Sequence, residues 1–354
     1  PGGVRAGCAE KSWDLFESFY RKIPWQFPYQ SGDNDYSGNP PLGQVDIIPA
    51  ESPLSLMSKY ECLIFLGWNT MTPGIYSNLK KYVRRGGSLL ATLAHLNCSD
   101  KRPGRLEIIN RGDIRDLFGV TVEKRTRFMD RGIKFLRRPE KGNYRFPLWT
   151  TACDSKYDFG KLVVGKLKIH TAKVLAAGSD RFADSEENML RWPFLISNAC
   201  GKGISFLVNT MEFPGHENLS GFYRDMLYFF CSAFQKELLV EASDSIRFST
   251  FAEDGKYVLY LLNTDTGCRC EALITYGASV KVPVDVAPGC MKVVYLKGDV
   301  ITVSDDPEIR ILDIVHKKDE VAVKALSFKK SAKVNNYVCG RKWTGRTSIR
   351  YVET

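Results

Sequence analysis

Apolar and polar positions fall into two regimes that meet near residue 236. In the first regime, continuous apolar runs alternate with stripes of helical period. Cys62-Leu63-Ile64-Phe65-Leu66 is an unbroken apolar run, which predicts a strand buried on both faces. Gly67-Trp68-Asn69-Thr70 ends it, Thr72 caps a helix, and Pro73 takes the first helical position. Ile75, Leu79, Tyr82 and Val83 then recur at helical spacing, Gly86-Gly87 stops the helix, and residues 88–94 return as a second strand. Strand, helix and strand in so short a stretch predict a βαβ unit and hence a parallel sheet.

The rest of this regime is less regular. Ser12 and the apolar positions Trp13, Phe16 and Phe19 predict a helix over 12–22, and a Pro-, Gly- and Asn-rich loop follows over 23–53. Residues 113–118 read as a short helix ended by Gly119, and 120–173 as irregular with short β-like pieces. Residues 190–198 are largely apolar around Pro193, and 203–208 form a core strand. Leu219, Phe222, Met226, Leu227, Phe230, Ala233 and Phe234 make a wide helical stripe that closes the domain.

Beyond residue 236 the period changes to two. Residues 257–262, 271–276, 279–284 and 291–296 are short strands punctuated by Asn, Asp, Gly and Pro, which predicts an antiparallel β-sandwich. Residues 309–315, 320–326 and 348–352 are also strand-like. The expected organisation is therefore an α/β domain over 1–236, a β-sandwich over 237–304, and additional strands or a small β module over 305–354.

Composition narrows the function classes. The chain has 354 residues, 44% hydrophobic and 25% charged, which is a globular balance and excludes a disordered or collagen-like chain. The net charge of +10 sits almost entirely in residues 101–173, where 19 Lys and Arg face 8 Asp and Glu. No apolar run approaches the roughly 20 residues that span a bilayer. The start, Pro1-Gly2-Gly3-Val4, carries neither an initiator Met nor a signal-peptide core and predicts a piece of a longer polypeptide. The ten cysteines include no C-x-x-C pair, and Cys268-x-Cys270 has no matching second pair, so no zinc site or other cofactor is expected. Such cysteine usage favours reduced thiols and a cytoplasmic setting, with export of the parent left open.

Candidate chemistry lies at strand ends. A nucleophile above a parallel sheet needs a tight glycine-flanked elbow, and none occurs; His95 and Cys98 alone secure no such geometry. If strands 62–66, 88–94 and 203–208 are parallel, their carboxyl ends share one edge. Trp68 with Asn69, His95 with Asn97, and Asn209 with Glu212 and His216 then line it, an arrangement suited to a sugar or polar partner surface. The competing reading is that Asn and Thr after strands cap helices and close turns. Glu186-Glu187, Asp305-Asp306 and Asp33/Asp35 sit in loop-like contexts, and Gly201-Lys202-Gly203 lacks the length and following Ser/Thr of a phosphate loop. In residues 101–173, basic positions alternate with Phe128, Phe135, Tyr144, Phe146 and Trp149, as in a polyanion groove. No nucleic-acid motif accompanies them, which favours contact with an acidic surface instead.

The segment YECLIFLGWNTMTPGIYSNLKKYVRRGGSLLATLAHL, Tyr60 to Leu96, resembles the core of the β-galactosidase trimerisation domain, which has the flavodoxin-like class I glutamine-amidotransferase-like fold. GKGISFLVNT and GFYRDML resemble that domain's closing strand and final helix. YLLNTDT and VPVDVAPG are similar to the small C-terminal β-sandwich of the same multidomain glycoside hydrolases. The resemblance implies a non-catalytic C-terminal region that mediates homo-oligomer association and shapes a carbohydrate cleft, with hydrolysis performed by a preceding catalytic barrel. No catalytic residue of that barrel has a counterpart here, and the elbow Cys of glutamine-hydrolysing relatives is missing. Two other readings stand beside it: a stand-alone hydrolase using His95, Glu212 and His216, and a polyanion-binding module acting through residues 101–173.

Overall fold

The structure, a computed structural model, describes residues 9–12, 15, 45–100, 106–127, 132–136, 149–150, 162–179, 185–234, 238–243, 245–253, 255–277, 280–327 and 333–352. It divides into two compact units, one built on Asp46–Gln235 and the other on Lys236–Thr354. Apart from Ser12 and Leu15, the helix expected over 12–22 lies outside the described residues, as do the aromatic positions Phe128, Tyr144 and Phe146.

The first unit contains strands β1 (Cys62–Ile64), β2 (Ser88–Thr92), β3 (Asp113–Ile114), β4 (Val120–Arg127), β5 (Gly132–Phe135), β6 (Trp149–Thr150), β7 (Val163–Ile169), β8 (Lys173–Ser179), β9 (Pro193–Cys200) and β10 (Gly203–Val208). Its main sheet runs β1-β2-β10-β9-β8-β5-β6. β1, β2 and β10 are parallel, as the apolar runs predict, with Ile64 opposite Leu90 and Leu90 opposite Phe206. The remaining pairs are antiparallel, so the sheet is mixed rather than parallel throughout. β1 lies at the sheet edge and is only half-buried, unlike the doubly covered strand its apolar run suggests.

Between β1 and β2 runs the helix Pro73–Arg84, whose Thr72 cap accepts the Ile75 N–H at 3.2 Å. Its inner face buries Ile75, Tyr76, Leu79, Tyr82 and Val83. Behind this helix Gly203 is obligatory: a Cβ there would stand 2.2 Å from the carbonyl oxygens of both Val83 and Gly87. Residues 113–118 form a two-residue strand and then the helix Arg115–Phe118, which ends at left-handed Gly119. The stretch expected to be irregular holds two long strands instead, β4 and β7, which pair with each other and with β3 in a second sheet. Pro193 starts β9, a place where its missing N–H costs little. The helix Ser220–Phe234 follows, with Phe222, Tyr223, Met226, Leu227, Phe229 and Phe230 buried.

The second unit is all β: β11 (Leu238–Ala242), β12 (Ile246–Glu253), β13 (Lys256–Asn263), β14 (Cys270–Tyr276), β15 (Val280–Val286), β16 (Met291–Lys297), β17 (Val300–Ser304), β18 (Arg310–Lys317), β19 (Glu320–Leu326), β20 (Val334–Val338), β21 (Arg341–Lys342) and β22 (Arg346–Tyr351). They form three sheets, β11-β14-β15, β12-β13-β16-β17-β20-β21 and β18-β19-β22. Alternation along the six-stranded sheet explains their stacking. Leu259, Leu261, Val294 and Leu296 point into one core with Ile274, Val282 and Val284. Their neighbours Val258, Val293 and Tyr295 point into another with Ile311, Val321 and Val323. The six-stranded sheet is therefore covered on both faces. The strands after residue 305 supply the second cover, while β20 extends the middle sheet through β17.

Candidate functional site

The carboxyl ends of β1, β2 and β10 share one edge, and the seven residues singled out from the sequence follow those ends directly. Their surroundings differ from one another. Trp68 is 43% exposed, while Asn69, His95, Asn97, Asn209 and Glu212 are buried and His216 is half-buried.

His95 sits in the single 3₁₀ turn Leu93–Leu96 that leaves β2. Its Nδ1 accepts the Thr92 backbone N–H at 3.0 Å, while the Thr92 side chain accepts the His95 backbone N–H, a reciprocal cap of the turn. An accepting Nδ1 assigns the ring proton to Nε2. The ring packs between Phe65 and Phe213, with centroids 5.4 Å away on each side. Burial pushes the imidazole down to about 3, against a smaller opposing pull from the carbonyls of Leu66 and Gly67. The His95 carbonyl in turn accepts from Asn69 Nδ2 at 2.8 Å.

Asn209, Asn97 and His216 are held by backbone groups. Asn209 bridges strands: its Oδ1 accepts the Gly165 N–H at 3.0 Å, and Nδ2 donates to the carbonyls of Gly165 and Pro193 at 2.9 and 2.7 Å. Asn97 Oδ1 accepts from the N–H groups of Ser99 and Glu107, and its Nδ2 donates to the Ser99 carbonyl. His216 Nδ1 accepts the Asn218 N–H at 3.2 Å, just ahead of the helix Ser220–Phe234. Glu212 donates its backbone N–H to Thr210 Oγ1 at 3.1 Å.

A general base needs an unprotonated nitrogen free to meet a substrate proton. In both His95 and His216 the accepting nitrogen is taken by a backbone N–H. The Cys98 thiol is pushed up by burial and by the Glu107 carboxylate, the opposite of an activated nucleophile. Among the described residues, no group of three or more His, Cys, Asp and Glu is arranged to hold a metal, and the cysteines are free thiols. No helix among the described residues is long and apolar enough to cross a membrane. Thr92 and Gly165, which fix His95 and Asn209, carry no signal in the sequence, because neither the cap nor the strand crossing is visible before the turns are placed.

No protein-family model matches the chain, and no curated protein matches it. Solved structures with partial similarity include three glycoside hydrolases. A β-galactosidase from Bacillus circulans sp. alkalophilus is 15% identical, with 83% of this chain and 38% of that chain covered at a TM-score of 0.44. A β-galactosidase from the haloarchaeon Halorubrum lacusprofundi is 17% identical, with 81% and 36% covered at 0.41. An α-L-fucosidase from Paenibacillus thiaminolyticus is 13% identical, with 76% and 37% covered at 0.40. The chain thus spans well under half the length of each.

Proposed function

We propose that this chain is a non-catalytic region of a glycoside-hydrolase-like protein. The first unit, read as a flavodoxin-like domain of the β-galactosidase trimerisation type, mediates association between copies and helps shape a carbohydrate cleft. Hydrolysis belongs to a preceding barrel domain. In this reading Trp68 offers a ring face to a sugar, and Asn69, His95, Asn97, Asn209, Glu212 and His216 hold the loops around it. The sequence likeness over Tyr60 to Leu96 suggests the family. The observation that carries the non-catalytic role is the engagement of Nδ1 in both His95 and His216 by backbone N–H groups. A side chain that closes a turn with its basic nitrogen is support for the loop rather than a proton acceptor for a substrate.

The test pairs two measurements on the purified chain. Nitrophenyl β-galactoside and nitrophenyl acetate are offered as substrates, and mass is followed by light scattering over a wide concentration range. Expected are no turnover of either compound and a discrete oligomer. Saturable turnover lost in His216→Ala would overturn the reading in favour of a stand-alone hydrolase. A monomer at every concentration would remove the association role.

A further inference from the structure

The ladder between β4 and β7 contains a charge arrangement that the fold itself does not need. Val122 pairs with Leu167, and a regular antiparallel register would next place Glu123 opposite Lys166. A β-bulge intervenes at Glu123, so Lys124 stands opposite Lys166 instead. Two lysines are thereby placed directly opposite each other across the strands, a pairing that destabilises a ladder. Glu123 remains a counter-charge, 3.7 Å from Lys166, with Lys166 57% exposed. Lys168 lies on the same side of β7 as Lys166, about 7 Å along at the usual strand rise. Arg127 and His170 are exposed at the two ends of the ribbon. The ribbon cannot turn over, since Val122, Leu167 and Ile169 on its other side pack against the first unit's core.

We propose that this face is a docking surface for an anionic polysaccharide, a linear glycan bearing sulfate or carboxylate groups. Charge complementarity selects an anion, and Lys124 opposite Lys166, with Lys168 further along β7, spreads that charge along a ribbon, which selects a chain over a point ligand. Single-stranded nucleic acid is bound on exposed aromatic platforms, and none of the described exposed residues of β4 and β7 is aromatic. Protein interfaces deplete lysine and carry an apolar centre, whereas the exposed residues on this side are Glu123, Lys124, Lys166 and Lys168. Thr126, half-buried beside them, adds a hydroxyl suited to a sugar hydrogen bond, while the Thr121 hydroxyl is already engaged by His170 Nε2 at 3.0 Å. This role is independent of the cleft assigned to Trp68.

The experiment titrates the full chain with fluorescent heparin and with polygalacturonate, beside single-stranded DNA and polyglutamate, at several salt concentrations. The variant carries Lys124→Gln, Lys166→Gln and Lys168→Gln. A control with the same charge loss carries Lys281→Gln, Lys317→Gln and Lys318→Gln, all exposed positions of the second unit. Expected is a loss of about tenfold or more in affinity for one of the two glycans in the first variant, with the slope of log K against log salt reduced by about 2–3. The control binds as the parent does. Lys124→Glu, which turns the like-charge pairing with Lys166 into an attractive one and so keeps the ribbon folded, must also lose binding. Equal loss in both triple variants would overturn the proposal, since net charge alone would then suffice. Tighter binding of DNA or polyglutamate than of either glycan would overturn it too, as would binding to neither glycan at physiological salt.

Discussion

Thr92 and His95 each bond the other's backbone N–H, Nδ1 of the imidazole accepting at 3.0 Å. The histidine that the sequence offers as a crevice acid or base is thus a strut for the turn that leaves β2. Its neutrality follows from that position. Burial holds the ring at about 3, against about 6.5 in an unfolded chain. The folded state then binds the proton more weakly than the unfolded one. The contribution to stability is complete above about pH 6.5 and is lost as the pH falls toward 3, by up to about 1.4 kcal/mol per pH unit. An NMR titration of the His95 ring should find no protonation above about pH 4. A midpoint near the ordinary histidine value would sink this account.

Asn209 satisfies two carbonyls and one N–H at once, in a place where water does not reach. Asn209→Ala should therefore cost about 2–4 kcal/mol, the sum of groups left unpaired. Asn209→Asp is the sharper probe, because its carboxylate would face two carbonyl oxygens. Its stability loss should be larger at pH 7 than at pH 4, read by urea denaturation at both. Equal losses would mean that the Nδ2 bonds do not hold the strands.

Gly203→Ala should destabilise the first unit by about 3 kcal/mol or more, because the added methyl collides with two backbone carbonyls that cannot swing away. Gly255→Ala is a useful contrast: φ is +72° but nothing lies within 4 Å. It should cost only about 1 kcal/mol, and in the second unit. Thermal unfolding of the two variants would separate the cases, and similar midpoint shifts would count against the close approach.

Lys124→Glu should stabilise the β4–β7 ribbon by about 0.2–1 kcal/mol, by turning a like-charge pair into an attractive one. The gain should shrink at high salt. Amide exchange along β7 measures it directly. Slower exchange of Val164 and Leu167 in the variant is the expected outcome, and faster exchange would contradict the register.

How much of this was legible beforehand depended on whether a signal was local. Thr72, Pro73 and the apolar stripe from Ile75 to Val83 lie within a few turns of each other, so helix and flanking strands could be read directly. The antiparallel half of the sheet could not. β8 and β9 are joined across register shifts near Ala176, and β9 is buried along most of its length, so no period of two survives there. The residues of the strand-edge set were nameable, but not their partners: Asn209 reaches Gly165, which is 44 residues away in sequence. Lys124 facing Lys166 was equally hidden, because one bulged residue reverses which side chain meets which.

The double cover of the six-stranded sheet has a consequence for synthesis. Val258, Val293 and Tyr295 are made early, yet the side they face is closed by β18, β19 and β22, the last ending at Tyr351. β22 joins β19 in parallel, so it reaches its place only after an intervening excursion through β20 and β21. A ribosome releasing this region therefore exposes an apolar sheet face until β18 and β19, which carry most of the buried covering side chains, have emerged. Until those strands pair, the exposed face is the kind of apolar surface on which chaperones act during synthesis.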